Sequence, residues 1–355
     1  MSMRTIVYVS DYATDVCDAL PSNESRQSMV MDLLKAYGLD DDVICFKAAN
    51  KRELTSFHSE EFIDVVLSSD MENRQKDKFG LQDDCPIFEG LAEYVKVVAG
   101  STLTCANHLL LNEEVAINWY GGRHHCGKNS AQGFCYVNDI VLGINRLRHK
   151  YKEVFYIDLD LHHGDGVEKA FRYSKNVTTC SLHRYDVGFY PGTGSLKDNT
   201  DSVINVPLRK GLNGETLNKL MDELIFPILR RKQPEVLVIQ CGCDGLLSDP
   251  AKEWNLTIED YGQIIKKIND NFPVPKLILG GGGYNHSETA KCWTYITKIL
   301  KADDTEFDMI PDHKYVDEYE PSGYRFWYHE KSLMKDYNDH EYINSVISSI
   351  IKNFT

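Results

Sequence analysis

The sequence lacks the marks of several large classes of protein. Its ten cysteines include no Cys-x-x-Cys pair, and their spacing matches no disulfide framework or zinc knuckle. No apolar run reaches the ~18 residues that a membrane span needs, and residues 1–10 hold too short an apolar stretch for a signal peptide. We therefore expect a protein of a reducing compartment that makes no membrane contact.

Basic side chains are in deficit. The chain has 39 Lys and Arg against 53 Asp and Glu, a formal net charge of -14, which argues against direct binding to nucleic acid and favours a basic or neutral partner. A break in composition is also missing from the 355 residues, of which 42% are hydrophobic. Residues 1–355 are therefore predicted to form a single domain.

Short β-rich segments alternate with stretches of helical periodicity along the chain. Eight strands are predicted, at 5–10, 43–47, 115–119, 154–160, 177–182, 203–207, 236–242 and 277–280. Helices are predicted at 26–37, 87–111, 138–151, 217–231, 258–271 and 288–301. This order indicates an α/β protein with a central eight-stranded, mostly parallel sheet and helices on both faces. Ligands of such sheets gather at the carboxyl ends of the strands.

One polar run closes the predicted strand 154–160. Asp158, Asp160 and His162 stand at every second position, which in an extended strand puts them on one side, while the apolar Ile157 and Leu159 face the other. Two carboxylates and an imidazole that converge in this way indicate a metal site. His163 has the opposite parity, so a packed or hydrogen-bonded role is predicted for it.

Asp160 and His162 are the first candidate ligands, and Asp244 is the best third one. It closes another apolar strand and is followed by Gly245, where the chain can turn sharply, although such an aspartate also serves as a plain turn residue. Mixed nitrogen and oxygen ligands with open positions suit a catalytic divalent metal and do not choose among Zn²⁺, Fe²⁺ and Mn²⁺.

Two adjacent imidazoles, His124 and His125, follow the predicted strand 115–119. They offer a proton acceptor and a proton donor at one site if carboxylates set their environments apart, and Asp158 and Asp165 are available for this. In the alternative interpretation, Asp165 only caps the helix that begins near 167, and the His-His pair is a coincidence.

Four consecutive glycines, 280–283, end at Tyr284 and permit a ligand to approach the backbone closely. The Tyr284 hydroxyl can stabilise an oxyanion, although many tyrosines in such positions only pack. A phosphate loop is disfavoured, because no Lys-Ser or Lys-Thr follows and the Gly-x-Gly-x-x-Gly pattern with its acidic partner is missing.

Together these motifs resemble the class I zinc-dependent histone deacetylases over about 26–300. The segments that carry the resemblance are 84–86, 121–125, 133–139, 158–165, 190–194, 241–244 and 280–284. The resemblance implies an arginase/deacetylase fold. It also implies Zn²⁺, with Fe²⁺ as the alternative, on Asp160, His162 and Asp244, and attack of water on the acetyl carbonyl of acetyl-lysine.

The same resemblance implies roles for the other polar residues. His125, paired with Asp165, is expected to act as general base and then as acid to the leaving amine. His124, paired with Asp158, is expected to stay an electrostatic partner, and Tyr284 is expected to stabilise the oxyanion.

Substrate and ion contacts are implied as well. Gly133, Phe134 and Tyr190 are expected to wall a narrow tunnel around the lysine stem, and Asp84 on its rim is expected to accept hydrogen bonds from the substrate backbone. A structural K⁺ is expected near Asp158, Asp160, His162, Ser181 and Leu182. The implied partners are acetylated histone tails or other acetyl-lysine proteins and hydroxamate inhibitors, in the nucleus, with a cytoplasmic location also open.

Some positions depart from the family pattern. Tyr190 stands where Phe is usual, and Arg123 stands where Trp or Leu is usual, beside the cavity thought to release acetate. Pro250 and Ser287 replace basic residues that bind an inositol phosphate in corepressor-bound members, so an obligate corepressor complex is not expected. Residues 283–285 also look like the histone deacetylase 8 type, whereas Asp83 and 255–258 are closer to the corepressor-bound group.

Two other functions remain open. An amidohydrolase for acetylated polyamines needs extra acidic or constricting groups near the tunnel mouth, and none is identified from the sequence. A non-catalytic acetyl-lysine-binding scaffold would not need the metal ligands, histidines and Tyr284 that this chain retains together. Longer acyl groups also stay open, because residue types do not reveal the depth of the tunnel.

Overall fold

The sheet is entirely parallel in the residues that the computed structural model describes, which are 3–41, 47–68, 76–327, 332 and 334–354. All six strand pairings are parallel, in the order β1-β2-β7-β6-β3-β4-β5. Its strands are β1 (Thr5–Val7), β2 (Val115–Asn118), β3 (Val154–Asp158), β4 (Val177–Arg184), β5 (Val203–Leu208), β6 (Val236–Gln240) and β7 (Lys276–Leu279). The predicted parallel α/β architecture is confirmed with seven strands, and the predicted strand 43–47 lies outside the described residues except for Lys47, which is not in a strand.

Helices fill the intervals between the strands. They are α1 (Asp11–Asp18), α2 (Arg26–Ala36), α3 (Lys51–Leu54), α4 (Glu60–Leu67), α5 (Leu91–Leu111), α6 (Asp139–Leu147), α7 (Asp165–Phe171), α8 (Gly214–Leu220), α9 (Phe226–Lys232), α10 (Ile258–Asn271), α11 (His286–Lys301) and α12 (His340–Ile351). The predicted helix 217–231 is longer than expected, since a π-helical turn at Met221–Ile225 joins α8 to α9. Helix α10 has the predicted bounds, because Thr257 and Asp260 form a capping box at its start.

The strands are buried on both faces. Every residue of β1 to β7 is buried, including the apolar run Val236–Gln240. Helices contact the sheet at β1, β2, β4, β5, β6 and β7. This burial explains why the strands are rich in β-branched and aliphatic side chains rather than alternating with polar ones.

Strand β3 is shorter than predicted, and this changes how the polar run is arranged. The strand ends at Asp158. The backbone N–H of Asp160 then donates to Asp158 Oδ1 at 3.1 Å, and the N–H of His162 donates to Asp160 Oδ1 at 3.1 Å. Each aspartate thus bonds the amide two residues ahead, which curls the chain away from the sheet. The expectation that Asp160 and His162 alternate along a strand is therefore wrong.

The described residues contain no helix that is both long and apolar enough to cross a bilayer. The nine cysteines among them are buried and form no disulfide with one another.

Candidate active site

The sheet order brings four polar loops to one edge. Strands β2, β7, β6 and β3 are consecutive neighbours, and their carboxyl ends lead into the loops with the candidate residues. His124 and His125 follow β2, Tyr284 follows β7, Asp244 follows β6, and Asp160 and His162 follow β3. Residues up to 160 positions apart in the chain thereby meet in one place.

The three candidate ligands converge. One donor atom from each of Asp160, His162 and Asp244 lies within 4.8 Å of the other two. His162 Nδ1 is 2.9 Å from Asp244 Oδ2 and 3.4 Å from Asp160 Oδ1. The two carboxylates are buried and the imidazole is half-buried.

Neighbouring groups orient the carboxylates. Asp160 Oδ2 accepts hydrogen bonds from Gln240 Nε2 at 2.7 Å and from the Gly282 amide at 2.9 Å. Asp244 Oδ1 accepts one from the Leu161 amide at 2.8 Å. Sequence reasoning missed Gln240, although a lone polar residue at the end of the apolar run of β6 was the available signal. A Cβ on Gly282 would lie 2.5 Å from Asp244 Oδ2, which explains a glycine there.

The electrostatics of this cluster fit a divalent cation. Burial, together with repulsion from Asp160, raises the pKa of Asp244 to about 7. Two buried carboxylates beside one imidazole are a costly arrangement by themselves. A cation bound between them offsets the repulsion, and two oxygens with one nitrogen form a donor set of the catalytic type, with positions left open.

Each imidazole of the pair has its own carboxylate. His124 Nδ1 lies 2.8 Å from Asp158 Oδ2, and His125 Nδ1 lies 2.9 Å from Asp165 Oδ1. Asp158 Oδ2 also accepts a bond from the Tyr156 hydroxyl at 2.6 Å. Asp165 is the first residue of α7, and its carboxylate faces the site instead of capping the helix.

The two environments shift the pKa values of the histidines in opposite directions. Burial and the neighbouring His124 lower the pKa of His125 to about 3, so its imidazole is neutral and can accept a proton. Burial opposes a charge on His124 too, but Asp158 and Asp160 outweigh it and raise the pKa of His124 to about 9. The ring centroids are 3.9 Å apart, so two imidazoles whose pKa values are shifted in opposite directions share one site.

A pocket of about 230 Å³ lies at the position of the expected tunnel, and the name tunnel is kept for it below. It is lined by Asp84, His125, Gly133, Phe134, His162, Tyr190 and Tyr284. Gly133 has φ +58°, and a Cβ there would lie 2.4 Å from His125 Cδ2 and 2.7 Å from the Tyr190 hydroxyl. Only a glycine therefore leaves the tunnel open at this point. Asp84 Oδ2 accepts a hydrogen bond from the Gly133 amide at 2.7 Å, so this carboxylate also fixes the backbone of Gly133.

Tyr284 is fixed through its backbone. Its amide donates to Asp249 Oδ2 at 2.8 Å, a contact that sequence reasoning missed. Burial and the negative charges of Asp244 and Asp160 raise the pKa of Tyr284 well above its usual value. The phenol therefore stays neutral and can donate a hydrogen bond.

Two further polar residues support the site. Buried Asp139 accepts hydrogen bonds from the amides of Gly122 and Arg123 at 2.9 and 2.8 Å and thereby positions the loop that carries the histidines. His163 hydrogen-bonds Thr193 Oγ1 and Glu168 Oε2 at 2.8 and 2.9 Å, in agreement with the supporting role predicted for it.

The expected potassium ligands come from β3 and β4 and the loop after β3. Asp158 pairs with Ser181 across the two strands, and Leu182 follows in β4. The Gly164 amide donates to Ser181 Oγ at 3.4 Å. The ion expected here stays a prediction.

Arg123 lies beside the candidate metal ligands, and its guanidinium has few direct hydrogen-bond partners. It is 5% exposed, one guanidinium nitrogen donates to the Tyr120 carbonyl at 3.4 Å, and its Nε has no partner. No ion pair joins it to a carboxylate within the described ranges. It lines a small deep cavity of about 20 Å³ together with His124, Asp160 and Gly282. Nearby Arg26 donates to the carbonyls of Gly281 and Gly283, both at 3.0 Å.

The chain is similar to known proteins over the region that contains these residues. The family model described as "Histone deacetylase domain" matches residues 20–300, which include every candidate site residue. The chain is 38% identical to "Histone deacetylase 8" of Xenopus tropicalis, over 97% of this chain and 95% of the relative. It is 39% identical to the protein of that name from Danio rerio, over 98% and 94%. It is 32% identical to "Histone deacetylase HOS1" of Saccharomyces cerevisiae, over 96% and 98%.

Proposed function

The chain belongs to the histone deacetylase family, as a class I member similar to histone deacetylase 8, and from this premise we propose that it hydrolyses the Nε-acetyl group of acetyl-lysine. Its substrates are histone tails and other acetylated proteins, and acetate is released. The observation that carries the proposal is the convergence of Asp160, His162 and Asp244 at the base of a narrow tunnel, beside His125 and Tyr284. Residues 1–355 act as one catalytic domain in the nucleus, with a cytoplasmic population as the alternative.

Asp160, His162 and Asp244 would hold the metal, which we propose to be Zn²⁺, with Fe²⁺ as the alternative. When bound, the ion supplies Lewis acidity toward the amide carbonyl and lowers the pKa of a water molecule. Gln240 and the Gly282 amide fix the Asp160 carboxylate and so keep the site in shape. A structural K⁺ at Asp158, Asp160, His162, Ser181 and Leu182 belongs to the same proposal.

The tunnel binds the acetyl-lysine side chain. The rings of Phe134 and Tyr190 and the bare backbone of Gly133 line this pocket, and such a lining suits the aliphatic four-carbon stem of lysine. At the rim, Asp84 accepts hydrogen bonds from the substrate backbone. A hydroxamate inhibitor is expected to enter the same tunnel and reach the metal.

Proton transfer belongs to His125. Its lowered pKa keeps the imidazole neutral and so available to take a proton from the attacking water. Asp165 holds the Nδ1–H and stabilises the imidazolium that forms. The imidazolium then protonates the leaving lysine amine. His124 stays charged next to Asp158 as an electrostatic partner, and the neutral Tyr284 hydroxyl donates to the developing oxyanion.

We further propose that activity needs no corepressor complex. Ser287 lines a cavity of about 310 Å³ whose other polar walls include Glu288 and Glu318. The buried ammonium of Lys291 in this cavity is already paired with Glu288 at 2.7 Å. Carboxylates and a neutralised lysine disfavour a polyanionic phosphate, and Pro250 adds no cation.

Metal analysis combined with a panel of acylated peptides tests the proposal. We expect about one equivalent of metal at the Asp160 cluster and preferred turnover of acetyl-lysine peptides. A strong preference for acetylspermidine would favour the polyamine hydrolase, and a fully metallated protein without turnover would favour the scaffold.

A further inference from the structure

We propose that a groove beside the tunnel mouth selects substrates with an unmodified lysine or arginine one or two residues from the acetyl-lysine, through the carboxylate of Asp83. This inference rests on the proposed deacetylase function and adds a sequence preference to it. The occupant is the side chain of that neighbouring basic residue.

The groove is continuous with the tunnel. It has a volume of about 310 Å³ and shares three wall residues with the tunnel, Asp84, Phe134 and Tyr284. A peptide whose acetyl-lysine enters the tunnel therefore has its neighbouring residues at this groove, because consecutive Cα atoms are only about 3.8 Å apart.

The walls of the groove are apolar with an acidic edge. Leu20, Pro21 and Pro86 provide apolar surface, and Asp83 and Asp84 provide carboxylates. No lysine or arginine lines the groove among the residues that the structure describes. Such a surface suits lysine and arginine side chains, whose aliphatic stems pack on apolar groups while the charged end meets a carboxylate.

Asp83 is the carboxylate available to a substrate side chain, whereas Asp84 is the one proposed to bind the substrate backbone. Asp84 Oδ2 is already bonded to the Gly133 amide, whereas the exposed Asp83 makes no hydrogen bond or ion pair with another described residue. The two residues occupy the corner of a turn that the Cys85 amide closes onto the Gln82 carbonyl at 2.8 Å. Since Cys85 is fully buried, the turn is anchored and holds Asp83 at the rim.

The backbone of Asp83 makes a clean variant possible. Its φ is +49°, a left-handed conformation that Asp, Asn and Gly tolerate better than other residues. Asp83→Asn therefore removes the charge and keeps the turn. Asp201→Asn is the matched control, because exposed Asp201 lies outside the groove, just before the edge strand β5, and loses the same charge.

The experiment uses three acetyl-lysine peptides that differ only at the neighbouring residue, which is Arg, Gln or Glu. We expect kcat/KM to fall in that order, by about two- to five-fold per step as for an exposed ion pair. The effect should lie in KM rather than in kcat. The differences among the peptides should be smaller at high salt. In Asp83→Asn the Arg-to-Glu ratio should approach one. In Asp201→Asn it should equal that of the unmodified protein.

Equal kcat/KM for the three peptides would overturn the inference and leave the deacetylase function intact. An equal loss of selectivity in Asp201→Asn would also overturn it, since the overall negative field would then be the cause. A preference for acetylspermidine over the Arg peptide would overturn the inference too, since the substrate would then be a polyamine rather than a peptide. If no peptide is hydrolysed, the proposed function fails, and fluorescence anisotropy of the labelled peptides still tests the selectivity through their Kd values.

Discussion

His125 Nδ1 lies 2.9 Å from Asp165 Oδ1, and this contact connects a loop after β2 to the first residue of α7. The second carboxylate oxygen of Asp165 accepts a hydrogen bond from Gln132 Nε2 at 2.8 Å. The carboxylate is therefore held from two sides, which fixes Nδ1 as the protonated nitrogen of His125 and leaves Nε2 free to accept a proton.

Asp165→Asn is expected to lower kcat by about 10²- to 10⁴-fold, because an amide can present an N–H to Nδ1 and favours the wrong tautomer. The fold and the metal content should be unchanged, since the amide is isosteric with the carboxylate. Single-turnover kinetics with an acetyl-lysine peptide measure the effect. A kcat within two-fold of the unmodified protein would remove Asp165 from the proton-transfer role.

Tyr284→Phe is expected to reduce kcat by about 10²- to 10³-fold, as for loss of one oxyanion donor. The ring contact with Phe134, at 5.9 Å between centroids, and the backbone bond to Asp249 are retained, so folding should not change. Metal content and hydrolysis are measured on the same sample. Retained metal with equal activity would refute the oxyanion role.

Arg123→Leu is expected to alter turnover and to weaken inhibition by acetate about ten-fold, the size of a lost hydrogen bond to a charged group. The guanidinium is buried with an unpaired Nε beside the candidate metal ligands, so it offers a positive charge to a small anion in this cavity. Initial rates at increasing acetate measure this, with Arg123→Lys as the variant that keeps the charge. Identical kinetics in Arg123→Leu would rule out any role in product release.

The pH dependence of stability should report on His58, which is not one of the candidate metal ligands. Its Nε2 accepts a hydrogen bond from the Asn138 amide at 3.0 Å, and burial lowers its pKa from 6.5 to about 4. As the pH falls from 6.5 to 4, the unfolded chain takes up a proton that the folded chain does not. The stabilisation is thus complete above pH 6.5 and is lost toward pH 4.

Urea unfolding at several pH values tests this, with His58→Gln, which keeps an acceptor but cannot titrate. The free energy of unfolding should fall less steeply below pH 6.5 in His58→Gln than in the unmodified protein. Exposed His149→Gln is the control and should leave the slope unchanged. If the free energy of unfolding depended on pH in the same way in all three proteins, the lowered pKa assigned to His58 would be contradicted.

Local patterns in the sequence determined the elements and the identity of the chemical groups. The alternation of apolar strands and amphipathic helices predicted the parallel α/β architecture, and capping residues such as Thr257 fixed the start of α10. Asp160, His162 and Asp244 were found because polar residues at the ends of apolar runs are exceptions to a strong pattern. Such signals depend only on neighbours along the chain.

Tertiary structure decided how these groups meet. The β2-β7-β6-β3 order sets four distant loops side by side, and no periodicity specifies that order. Successive aspartate turns after Asp158, rather than strand alternation, aim Asp160 and His162 into the site. The support of Gln240 for Asp160, of Asp139 for the histidine loop and of Asp249 for Tyr284 depends on contacts between distant segments. The sequence therefore identified the reactive groups, whereas long-range packing set their geometry. The physical reason is that hydrogen bonds between distant loops form only once the sheet has assembled.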